Sequence, residues 1–223
     1  GALPAAIAEY AERHDLALHT QASAEAQAAA LADDVAYVNH DIHDGLRAGL
    51  FTLAEAEALP EAGDCFAEVD ALYPGLDAGR RRHEALRRVF GMMVEDAIRE
   101  SGHRVEAAAP VSIDELRGMD GPVITFSGRM AADIGAIKAF LFERMYRHWR
   151  VNRMRVTATR VVRELFEVFL GNPGVLPDEW RRSCAACAGE AERARVVADY
   201  IAGMTDRYAL EEHRQITDPL ARA

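Results

Sequence analysis

Between positions 31 and 46 the apolar residues Leu31, Val35, Val38, Ile42 and Leu46 fall at i, i+4, i+7, i+11 and i+15, one stripe along a single helix. Such a stripe must be laid on other helices or on a sheet, and the chain offers little from which to build a sheet. No period-2 run of β-branched residues exceeds a few positions, while Ala, Leu, Glu and Arg, all good helix formers, dominate. The expected fold is therefore all-α, a multi-helix bundle. With no internal repeat and no low-complexity linker, the 223 residues read as one domain.

Turn residues divide the bundle. A short first helix is expected in LPAAIAEYAERHDL, with Pro4 near its start, and a long second one from about Ser23 to Gly45 or Ala48, closed by Gly45 and Gly49. Pro60, Gly63, Pro74, Gly75 and Gly79 break the next stretch into short helices. A helix carrying Leu86, Val89, Phe90, Met93, Val94 and Ile98 is expected from about Arg80 to Ser101. Beyond it lies a connection in which VITF reads as a brief extended segment. Helical patterns resume from about Arg129 to Phe169, in two pieces, until the stop GNPG, and a last helical pair runs from Pro177 to about Ile216.

The composition narrows the function classes. Half of the residues are apolar and the formal net charge is −10, which argues against a protein that mainly coats nucleic acid. No stretch approaches the roughly 20 apolar residues that cross a bilayer, and the first residues lack the basic and apolar regions of a signal peptide. Three cysteines, Cys65, Cys184 and Cys187, agree with a reducing compartment, so a cytoplasmic location and no membrane partner are expected. Positive charge is almost all arginine, Lys138 being the one lysine; a coding bias and a use of arginine's bidentate fork for phosphate both account for that.

The most unusual stretch runs from Asp33 to Asp44. Six of its twelve residues are Asp or His, both mediocre in helix interiors. At about 100° per residue, Asp33, Tyr37, His40, Asp41 and Asp44 share one face, opposite the apolar stripe. A solvated acidic face is one reading. The other is a site for a divalent metal and sugar hydroxyls, both of which seek carboxylate oxygens.

The run SAEAQAAALADDVAYVNHDIHDGLRAGLF resembles the signature of the dGTPase-type deoxynucleoside triphosphate triphosphohydrolases, a branch of the HD-domain metal phosphohydrolases. The likeness continues through HEALRRVFGMMVEDAI and FLFERMYRHWRVNR to VVADYIAGMTDRYALEEHR. It implies that Asp33 is the last metal ligand, for magnesium or manganese, and that Tyr37 and Asp41 lie around the deoxyribose. The implied reaction is hydrolysis of a 2′-deoxynucleoside 5′-triphosphate to the deoxynucleoside and inorganic triphosphate, in a homo-oligomer. The metal would polarise the α-phosphate and position water while arginines neutralise the triphosphate.

The family's first histidine and its His-Asp pair precede this signature. Neither His14-Asp15 nor His40-Asp41 stands in the matching context. The chain thus resembles the carboxy-terminal half of such an enzyme: an HD-type bundle without the helices that carry those ligands, its catalytic acid or base expected before residue 1. Residues 1–105 would complete the active site and residues 106–223 form a helical carboxy-terminal portion. A competing reading is a non-catalytic helical module that binds nucleotide or protein.

Two arginine-rich segments are further candidates. Five arginines in positions 80–88 suit either a phosphate clamp or surface ion pairing, and the resemblance to the family's phosphate-binding helix points to Arg82 and Arg87. The run from Phe140 to Arg163 interleaves Arg144, Arg147, Arg150, Arg153, Arg155, Arg160 and Arg163 with Tyr146, His148 and Trp149. It suits a nucleic-acid contact or an amphipathic helix with Phe142, Met145, Tyr146 and Trp149 on its apolar face and arginines pairing between subunits. Cys184-Ala-Ala-Cys187 lacks the second ligand pair of a zinc site, Glu100-Ser-Gly-His103 lacks the second motif of a di-iron centre, and Arg87 replaces the second histidine of a zincin motif begun at His83-Glu84. There is no GxGxxG, P-loop or GxSxG sequence.

Overall fold

The computed structural model describes residues 3–218 and 220, and among these it is all-α, with no strand. The chain divides into two compact units, residues 1–146 and 147–223. The division does not coincide with the 105/106 boundary between the two sequence portions, which falls inside a helix.

The first unit contains α1 (Ala5–Ala11), α2 (Ala24–Arg47), α3 (Leu53–Glu57), α4 (Ala62–Leu72), α5 (Ala78–Ala108), α6 (Ile113–Arg117) and α7 (Gly128–Leu141). A π-helical segment, Phe142–Tyr146, follows α7 directly. The stripe of α2 does what its spacing predicts: Val35, Val38 and Ile42 are buried, flanked by half-buried Leu31 and Leu46. They pack with Phe66 and Val69 of α4, Val89 and Met93 of α5, and Ile134, Ile137 and Leu141 of α7. Local chemistry sets the helix starts. The Ser23 hydroxyl accepts from the Ala26 N–H, Asp77 accepts from Gly79 and Arg80, and Thr52 with Glu55 forms a reciprocal capping box.

Several elements differ from the sequence reading. Gly45 does not close α2; it is buried within the helix, because a Cβ there would meet the Phe51 ring at 2.2 Å. Gly49, with φ +64°, is the residue that turns the chain just beyond the Ala48 cap. Helix α5 extends to Ala108, and Phe90 and Ile98 lie exposed, off the buried stripe. The VITF segment forms no strand. Val123 is buried, and the N–H groups of Val123 and Ile124 both donate to the Gln27 side-chain oxygen, at 2.9 and 3.0 Å. Buried Gln27 thereby ties the connection to α2.

The second unit contains α8 (Trp149–Gly171), α9 (Asp178–Ala186), α10 (Glu190–Ala202) and α11 (Asp206–Thr217). The expected last pair is three helices, since Gly189 and the Thr205 cap each start a new one. Val161, Leu165 and Phe169 of α8 pack on Cys184, Val197 and Tyr200. The arginine run is not one helix. It breaks at Arg147, and the His148 ring accepts from the Arg150 N–H to cap α8, so Phe142 to Tyr146 and Trp149 belong to different elements. No helix of the described residues is long and apolar enough to cross a membrane.

Candidate functional site

Helix α2 carries Asp33, Tyr37 and Asp41 at successive intervals of four, so each stands about 6 Å further along nearly the same face. Their surroundings differ. Asp33 is exposed and makes no hydrogen bond or ion pair with any described residue. Its neighbour Asp34 pairs with Lys138 of α7 at 3.0 Å. Tyr37 is 56% exposed.

Asp41 is half-buried and accepts a hydrogen bond at Oδ2 from the Tyr146 phenol, at the end of the π-helical segment. The Tyr146 ring lies 6.5 Å from that of Tyr37, tilted by 32°. Burial pushes the Asp41 carboxyl above its ordinary value, and Asp44 pushes it further, against a smaller opposing pull from His40. Asp41 is thus the member of this face already partly withdrawn from water.

The arginine cluster at the start of α5 separates into engaged and unengaged members. Arg80 pairs with Asp77, and Arg81 forks onto Asp70 while also reaching Glu57. Arg87 forks onto Glu84 at 2.7 and 3.0 Å, and Arg88 pairs with Glu68 and Glu84. Arg82 has no hydrogen bond or ion pair among the described residues, and its Nε is buried without a partner. Of the two arginines selected from the sequence, Arg82 has no partner among the described residues, whereas Arg87 already forks onto a carboxylate. No hydrogen bond, ion pair or ring contact among the described residues joins either one to Asp33, Tyr37 or Asp41.

Two functional-looking groups escaped the sequence reading. The sequence pattern puts Tyr146 on an apolar helix face, and only the structure turns its phenol to Asp41. Asp96 is buried on α5, where Oδ2 accepts from the Ser127 N–H at 2.8 Å and Oδ1 from Arg99 at 3.0 Å. Its signal is present in the sequence: it continues the Leu86, Val89, Met93 stripe, where an acid is out of place.

A divalent metal is implied by the resemblance, but these residues do not by themselves fit one. No group of three or more His, Cys, Asp or Glu side chains among the described residues could hold a metal ion. Asp33 offers one carboxylate, and a hard cation needs several oxygen ligands. The cysteines are free and form no such group.

Residues 124–215, from the connection before α7 into α11, match the phosphohydrolase-associated domain. The chain is also 56% identical over 216 residues to a deoxyguanosinetriphosphate triphosphohydrolase-like protein of Cereibacter sphaeroides, covering 97% of this chain and 57% of that protein. Identity to the proteins of the same description from Paracoccus denitrificans and Caulobacter vibrioides is 52% and 50%, over 97% and 95% of this chain and 57% and 53% of theirs. The resemblance seen in the sequence therefore extends over nearly the whole chain, which spans somewhat more than half the length of these relatives.

Proposed function

We propose that this chain forms the sugar-binding side of a hydrolase that cleaves 2′-deoxynucleoside 5′-triphosphates to the deoxynucleoside and inorganic triphosphate. One observation carries the reading most directly: Asp41 is a half-buried carboxylate beside Tyr37, with only one described hydrogen bond and its pKa raised by burial. Such an oxygen favours a neutral hydroxyl donor, as in a sugar, and the relatives' names supply the rest of the substrate. Tyr37 packs against the sugar, Asp41 accepts from the 3′-hydroxyl, and Arg82 neutralises triphosphate charge. Asp33 contributes one ligand to a magnesium or manganese site that other residues complete. The working protein is a cytoplasmic homo-oligomer.

The test is discrimination between deoxy and 2′,3′-dideoxy substrates by the gene's complete product. Loss of the 3′-hydroxyl leaves Asp41 desolvated and unpaired, a penalty of about 1–3 kcal/mol or roughly five- to 150-fold in kcat/KM. Asp41→Asn shrinks that ratio, because an amide oxygen accepts without charge, while Tyr37→Phe changes it less. An unchanged ratio in Asp41→Asn returns this face to a solvated acidic surface.

A further inference from the structure

The apolar stripe of α8 runs on past the core it serves. Val161, Leu165 and Phe169 are buried in the second unit, but Ala158 and Met154, one and two turns earlier on the same side of the helix, are exposed, Met154 to 74%. Met154, Ala158, Val162 and Phe166 follow one another at intervals of four, a ridge of the kind by which helices interlock. The ridge stands between two grooves of the second unit. One, of about 410 Å³, is shared with Leu210 of α11, and the other, of about 640 Å³, with Ile201 of α10. Ala158 and Val162 line both. With a single methyl group, Ala158 is the point at which a second helix could come closest.

The charges along this ridge point to what covers it. In the groove beside α11 the charged lining residues are one cation and one anion, Arg153 and Asp206. The Arg153 guanidinium lies 5.3 Å from the centre of the Trp149 ring, and neither Arg153 nor Asp206 forms an ion pair among the described residues. Further along α8 such charges are matched within the chain: Arg160 pairs with Glu164, which also meets His213 of α11 at 2.5 Å. An apolar ridge beside a groove that holds one charge of each sign is complementary to itself. Turned about a twofold axis, the Ala158 ridge of one copy enters the groove of another, and each Arg153 faces the partner's Asp206. A nucleic-acid strand, the other ligand suited to the arginines of α8, would bring its phosphates against Asp206 and leave the apolar ridge wet.

We infer that the exposed ridge of α8, centred on Ala158, is an interface between two copies of this chain, locked by reciprocal ion pairs of Arg153 with the partner's Asp206. This rests on the homo-oligomer in the reading above, for which it names the contact, and is independent of the sugar site.

The test is the mass of the gene's complete product by sedimentation equilibrium, for the wild type, Ala158→Glu, Arg153→Asp, Asp206→Arg and the double exchange Arg153→Asp with Asp206→Arg. Glutamate is a good helix former at an exposed position, so Ala158→Glu keeps the fold while setting two like charges at the twofold axis; it is expected to halve the mass of the assembly. Each single charge reversal, felt twice by symmetry, is expected to weaken association about tenfold or more, and the double exchange to restore it to within about threefold of the wild type. A double variant that associates no better than the single ones overturns the inference. A monomeric wild type overturns it together with the oligomer in the reading above. A wild-type oligomer whose mass Ala158→Glu leaves unchanged overturns the interface alone, and two further measurements then say what the ridge meets. Loss of binding to a labelled single-stranded oligothymidylate, followed by fluorescence anisotropy, assigns it to nucleic acid, and a lowered thermal midpoint assigns it to another part of the complete product. If Asp206→Arg does not fold, Ala158→Glu decides by itself.

Discussion

The junction of α5 with α7 and the polar face of α2 each draw an aspartate out of water, and they treat it in opposite ways. Burial alone would push both carboxyls up. At Asp96 the Ser127 N–H, the Ser127 hydroxyl and Arg99 more than offset it, and the group lies below its ordinary value. At Asp41, Asp44 adds to burial and His40 answers only in part, so the group lies above. Asp96 is spent on holding the first turn of α7, whereas Asp41 keeps an oxygen in reserve. The same division runs through the other candidates: Asp34 is engaged by Lys138 and Arg87 by Glu84, while Asp33 and Arg82 have no described partner. Residues already satisfied within the protein build it, and those left unsatisfied are the ones a ligand can satisfy.

The strongest way to break this division is at adjacent residues of α2. On the proposed metal reading, Asp33→Ala in the complete gene product is expected to abolish triphosphate release, because it removes the one carboxylate assigned to the cation. Asp34→Ala removes only an exposed pair with Lys138, worth about 0–1 kcal/mol, and leaves most of the activity. Release of inorganic triphosphate from dGTP measures both. Equal loss would mean that engagement by Lys138 does not mark Asp34 as structural, and the reverse order would move the ligand there.

How much of this was legible beforehand follows from the range of the forces involved. Periodicity is local, so the stripe of α2, its Ser23 cap and the shared face of Asp33, Tyr37 and Asp41 could be read directly. Gly45 looks like a terminator in the sequence because its actual reason, the Phe51 ring six residues on, depends on how the chain folds back. Arg82 and Arg87 looked equivalent, since only tertiary structure shows which guanidinium has found a carboxylate. Tyr146 was hidden for a related reason. A π segment shifts the helical phase, so a regular 3.6-residue projection assigns its side chain to the wrong face.

The arginines offer the next test. Arg82→Ala removes a guanidinium free to meet phosphate and is expected to raise KM for dGTP about tenfold or more, from a charge-assisted contact of about 1.5–3 kcal/mol. Arg87→Ala breaks an exposed contact with Glu84 and should stay within about threefold. Steady-state KM for the two variants decides. A larger effect at Arg87 would show that its fork leaves Glu84 for substrate, and the division would then describe a resting arrangement only.

The smallest expected effect concerns stability. Asp96→Ala leaves the Ser127 N–H without its acceptor at the start of α7, for a loss of about 1–3 kcal/mol in denaturant unfolding. Asp96→Asn keeps an acceptor and loses less, and it also reveals the sign of the pH dependence. Because the folded carboxyl lies below its ordinary value of 3.8, its contribution is fully present above that value and disappears as the pH falls through the lower, folded one. The wild type should therefore lose its advantage over Asp96→Asn only in strong acid, below about pH 4. Asp41, displaced in the other direction, costs stability in its ionised form at neutral pH, so Asp41→Asn should be neutral or slightly stabilising there while damaging recognition. A drop in stability for Asp41→Asn as large as that for Asp96→Ala would make Asp41 another structural carboxylate and erase the contrast between the two regions.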